Sequence, residues 1–122
     1  MAIIGAHTII YASDVEAALA FFRDVLEFPH VDAGGGRLFF RAPPSEIAVH
    51  ETATVPDPAR HELYLMCDDI ETTVTDLRAK GVALDDDVRD LGWGLLISVP
   101  VPGAGTIGIY QPRHLTAYDL DR

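Results

Sequence analysis

The sequence predicts an α+β fold: two βαβββ modules forming one curved mixed sheet, with a concave cleft inside and the helices outside. Three observations predict it. The stretch "AHTIIYASDVEAALAFFRDV" (residues 6–25) comes back as "HELYLMCDDIETTVTDLRAK" (residues 61–80). In both copies an apolar extended run changes to helical spacing at an acidic capping pattern. Each copy is then followed by short extended runs separated by glycine and proline.

Residues 3–12 are rich in β-branched and apolar side chains and predict the first strand. Ser13-Asp14-Val15-Glu16 predicts a capping box, with the Ser13 hydroxyl on the first-turn amides and Glu16 reaching back. Val15, Ala18, Leu19, Phe22, Val25 and Leu26 form the apolar stripe of a helix that Pro29 stops. Extended runs follow at 30–32, 37–42 and 46–51, around the Gly34–Gly36 and Pro43–Pro44 turns. The second module repeats the order. Residues 62–67 predict a strand. Asp68-Asp69-Ile70-Glu71 predicts a second cap, and Ile70, Val74 and Leu77 a second stripe that Gly81 closes. Residues 82–88 form a weak acidic strand, 92–99 a strong one and 106–111 the last. The expected organisation is one domain over 1–122: module one 1–52, linker 53–60, module two 61–112, and a tail 113–122 ordered at most in part.

Composition narrows the function. The chain of 122 residues carries a net charge of -10, with no basic stripe, which argues against nucleic acid and against anionic membranes as partners. No apolar run reaches the length of a membrane span, and "MAIIGAHTII" lacks the features of a secretory signal. The single cysteine, Cys67, cannot pair within the chain, so a reducing cytoplasm is expected. In its apolar strand Cys67 reads as an inert core thiol.

At the residue level the chain resembles the vicinal oxygen chelate superfamily, which includes glyoxalase I, bleomycin-type resistance proteins, fosfomycin resistance enzymes and extradiol dioxygenases. "HTIIYASDVEAALAFFRDVLEF" is similar to the opening strand–helix motif of that group, and "GTIGIYQP" to its closing strand. The resemblance spans residues 3–112. It implies a cleft with a divalent metal held by four ligands, one from each of four strands.

Each implied ligand position can be tested on this sequence. His7 matches the first. In the second module, pairing Asp14-Val15-Glu16 with Asp69-Ile70-Glu71 sets Glu62, not His61, opposite His7, and turns Leu63, Leu65 and Cys67 toward the helix. The other two positions fall on Ala48 and Gly108, whose side chains ligate nothing, although a slip of register at Ala48 would bring in Glu51. The implied metal set is thus reduced to His7 and Glu62, fewer than a firm site needs. His50, on the parity of Ala48, could complete a two-histidine, one-carboxylate set; the simpler expectation is that it lines a pocket rim.

Strand alternation puts Tyr11, His50, Tyr64, Met66 and Tyr110 in the cleft with His7 and Glu62, and adds Trp93 from "GWG". Aromatic rings with a few polar groups suit a flat or amphipathic small molecule. Three functions compete. The first is a small-molecule-binding protein, with no cofactor and no standard metal. The second is a divalent-metal-dependent lyase, isomerase or dioxygenase. The third is a metal-free acid–base enzyme with His7 and Glu62 as its candidate catalytic pair. The resemblance implies a homodimer for all three, with the cleft made within one chain or by swapped modules.

Overall fold

The computed structural model describes residues 7–36, 38–46, 48, 53–54 and 61–118. Its fold is α+β. Helix α1 (Val15–Ala20) runs into a π-helical turn, Phe21–Val25. Strands β1 (His30–Asp32) and β2 (Leu38–Phe40) pair antiparallel as a separate two-stranded sheet. Then come β3 (Tyr64–Met66), α2 (Ile70–Ala79), β4 (Arg89–Asp90), β5 (Gly94–Pro100) and β6 (Thr106–Pro112). These four strands form the second sheet in the order β3-β6-β5-β4, with β3 parallel to β6 and the other pairs antiparallel.

The first helix begins one residue later than the sequence suggests. Asp14 is the N-cap and accepts from the Ala17 amide at 3.1 Å. Ser13 instead turns its hydroxyl and its amide to the Gly103 carbonyl, tying the helix start to the β5–β6 turn. A side chain at position 103 would collide with Asp14, and its φ of +73° is itself a glycine conformation. At the other end the π turn widens the helix by one residue per turn. Phe21 and Phe22 both become buried, although only Phe22 lies on the straight helical stripe. Helix α2 follows its sequence closely. Asp69 accepts from the Glu71 and Thr72 amides, and Ile70, Val74 and Leu77 are buried. At its end the Gly81 amide bonds to the Arg78 carbonyl and the Val82 amide to the Leu77 carbonyl, the pattern a left-handed glycine makes.

One core lies between the helices and one face of the four-stranded sheet. Ala18, Phe21 and Phe22 meet Ile70, Val74 and Leu77 over Ile97, Val99, Ile107 and Ile109, with Leu63, Leu65 and Cys67 packed at its margin. The odd-numbered residues of β5 and β6 therefore face the helices. The even-numbered ones face away, and there Leu96 and Tyr110 are buried as well.

Three strand expectations change. Residues 7–12 form no strand and pair with none among the described residues. Ile10 and Ala12 pack on the core while Ile9 and Tyr11 stay exposed, so the alternation is present without a ladder partner. Residues 82–88 form no strand; Asp85, Asp86 and Asp87 are poor strand formers, and pairing begins only at Arg89. The described strands make two sheets rather than one. The 46–51 run and most of the linker lie outside the described residues.

Candidate functional site

The face of the larger sheet opposite α2 is built in rows. Across it run Met66, Tyr110, Leu96 and Arg89, each beside the next in register. The adjacent row holds Tyr64, Gly108 and Ser98. Trp93 stands just before β5. Tyr64, Trp93 and Tyr110 meet edge to face, with centroids 6.3 Å apart for Tyr64–Trp93, 6.2 Å for Tyr64–Tyr110 and 5.1 Å for Trp93–Tyr110. Tyr110 is the floor, 6% exposed, while Tyr64 and Trp93 remain 42% and 43% exposed.

Two glycines seat these rings. A Cβ on Gly94 would come within 2.8 Å of the Tyr110 ring and of the Gln111 carbonyl oxygen. A Cβ on Gly108 would run into Tyr64 Cδ1 and lie 2.6 Å from Cε1. The glycines flanking Trp93 thus act differently from each other. Gly94 makes room for Tyr110, whereas Gly92, at φ +81°, turns the chain and bonds through its amide to Asp90.

Polar groups ring the cluster. The Tyr64 hydroxyl donates to Glu62 Oε2 at 2.8 Å, and this bond pushes the tyrosine pKa up, with burial adding to it. Burial first, then the Glu46 charge, raises the Tyr110 hydroxyl too. His114 stacks on Tyr110 with centroids 5.9 Å apart. Its Nδ1 lies 2.8 Å from the Leu115 carbonyl oxygen; donating there leaves Nε2 to accept from the Tyr110 hydroxyl at 3.0 Å. Glu46, from the first module, accepts from the Ala117 amide at 2.7 Å and lies 3.8 Å from His114 Nε2. Arg113 bonds to Asp90 at 2.7 Å, and its amide bonds to the Trp93 carbonyl. The tail is therefore tied down as far as Ala117. Beside it, a cavity of about 390 Å³ is lined by Met66, Cys67, Gln111, Thr116 and Tyr118. Burial raises the Cys67 thiol, which makes it a poor nucleophile.

The sequence-predicted residues divide accordingly. Tyr64, Trp93 and Tyr110 meet in one cluster, Glu62 is bonded to it, and Met66 sits beside Tyr110. His7 stands with its ring edge to face with Phe39 at 5.4 Å, and no hydrogen bond or ion pair joins it to Glu62. Tyr11 is 85% exposed and touches none of the three rings. His50 lies outside the described residues. His114 and Glu46 are additions. Continuing the even parity of Gly108 and Tyr110 along the chain would have reached His114; nothing in the local sequence singles out Glu46.

The four-ligand metal site does not fit the described residues. The Gly108 position is filled by the Tyr64 ring, Ala48 offers a methyl group, Glu62 is engaged by a phenol, and His7 stands against Phe39. Among the described residues no group of three or more histidine, cysteine, aspartate or glutamate side chains is placed to hold a metal ion. No helix among them is long and apolar enough to cross a membrane.

Comparison with solved structures places this architecture. A lactoylglutathione lyase from Agrobacterium tumefaciens is similar at a TM-score of 0.62 and 21% identity, over 88% of this chain and 92% of that one. TnmS3, an antibiotic binding protein from Streptomyces sp. CB03234, is similar at 0.63 and 25% identity, over 92% and 98%. A superfamily member from Sphaerobacter thermophilus is similar at 0.59 and 20% identity, over 89% and 98%. No match was found among curated proteins. The sequence profile of one family covers residues 5–113. The chain belongs to the Glyoxalase/Bleomycin resistance protein/Dioxygenase superfamily.

Proposed function

We propose that this chain is a small-molecule-binding member of its superfamily that uses the Tyr64–Trp93–Tyr110 face, without the four-ligand metal centre, as its binding surface. The observation that carries the proposal is the occupation of the Gly108 position by the Tyr64 ring, which replaces a ligand position with an aromatic wall. Two half-exposed rings over a buried third offer a planar or amphipathic molecule apolar area at little entropic cost. The likeness to an antibiotic binding protein favours the same reading. The acid–base alternative lacks its geometry, since His7 and Glu62 have separate partners.

The binding cleft is completed in a homodimer. Ile9, Tyr11 and Phe39 of the first module are large, apolar and exposed, and a second copy would cover them. Trp93 is the sole tryptophan and reports directly on the face. A panel of planar aromatic compounds is titrated against its fluorescence, with sedimentation on the same samples. Saturable quenching that a Tyr64→Ala variant loses, from a dimer, is the expected result. No saturable change across the panel would overturn the binding reading, and a monomer at micromolar concentration the dimer.

A further inference from the structure

We propose that the corner between Tyr64 and Trp93 takes an organic cation, a quaternary or fully substituted ammonium group, with Glu62 as its counter-charge. The inference rests on the binding reading above and adds the charge class of the ligand. The two exposed rings stand at 85° to each other, so a group in the corner meets one face and then the other. Tyr110 closes the corner from below, at 88° to Tyr64 and 78° to Trp93. Tyr64 and Trp93, half-exposed and nearly at right angles, attract a poorly hydrated cation set between them through their quadrupoles, with Tyr110 buried against both. They offer little to an anion.

The charges around the corner agree. Glu62 bonds to the Tyr64 hydroxyl at its rim, and Glu46 approaches from the tail side through His114. Against these two carboxylates stands Arg89, which makes no ion pair among the described residues and whose charge reaches the Tyr64 hydroxyl. The other nearby guanidinium, Arg113, is engaged by Asp90 at 2.7 Å. The net charge of the chain, -10, adds a long-range pull on cations.

The test uses three probes of one shape on the intact chain: phenyltrimethylammonium, its neutral carbon analogue tert-butylbenzene, and the anion benzenesulfonate, each followed by Trp93 fluorescence. The expected order is the cation about tenfold tighter than the neutral analogue, with the anion weakest. Glu62→Gln is expected to weaken the cation about fivefold and leave tert-butylbenzene unchanged; Arg89→Gln should strengthen the cation. Glu62 and Arg89 are exposed, so neither change threatens the fold. Equal or tighter binding of tert-butylbenzene, or a Glu62→Gln effect shared by both probes, overturns the charge assignment and leaves the aromatic face standing. No response to any of the three overturns both.

Discussion

The two halves of the chain begin with nearly the same words, and their described residues form different structures. The second builds its own four-stranded sheet, a well-capped helix and most of the core. The first contributes a helix, a π turn and a two-stranded ribbon, and leaves Ile9, Tyr11, Val31 and Phe39 exposed. Its firm attachment is through Ala18, Phe21 and Phe22, which enter the core of the second. A repeated motif therefore repeats local structure, while packing decides which copy carries the core. The copies also differ at the site: His7 of the first stands on Phe39, and Glu62 of the second serves an aromatic cluster.

The largest expected effect tests that attachment. Phe22→Ala, at the point where module one enters the shared core, should cost about 3–5 kcal/mol of unfolding free energy. Val15→Ala, on the exposed side of the same helix, should stay within about 0.5 kcal/mol. Urea denaturation of both variants measures the contrast; similar costs would break it.

Next in size is the seat of Tyr64. Gly108→Ala forces the ring to move and should cost about 1–3 kcal/mol. In a Tyr64→Ala background the same change should cost much less, so a double-mutant cycle should show strong coupling. Additive costs would mean that the ring does not depend on the glycine.

The smallest effect is electrostatic. The Tyr64 hydroxyl pKa is raised above its ordinary 10.0, chiefly by its bond to Glu62. Its contribution to stability is therefore complete below the ordinary value and is lost as pH rises through the folded value. In a tyrosinate absorbance titration, Tyr64→Phe should remove a transition lying above that value, and Glu62→Gln should bring it down.

Much of this was legible in the sequence where the signal was local. The stripe of Ile70, Val74 and Leu77 and the Gly81 stop depend on residues within a few positions of one another and appear as expected; the cap forms on Asp69, one residue inside the pattern that begins at Asp68. Choosing the register that sets Glu62 opposite His7 also turned Leu63 and Leu65 to the helix side, where they pack on the core. What was not legible depends on distant partners. Ser13 left its expected capping role because the Gly103 carbonyl stands beside it in space. Residues 7–12 have strand alternation, but a ladder needs a neighbour that no pattern within the strand can supply. Glu46 reaches the tail across 71 positions, and His114 acquires its place by stacking on Tyr110 and bonding to its hydroxyl. Gly108 was readable as a missing ligand; that a tyrosine ring fills its place required the β3–β6 register.

The most direct test of the central claim, that aromatic packing has replaced the metal ligands, is the metal content of protein purified without added metal, followed by titration with Zn, Ni, Mn and Fe(II) on the wild type and a His7→Ala variant. The account predicts no stoichiometric metal and no difference between the two proteins. One tightly bound ion per chain, lost on removing His7, would contradict it.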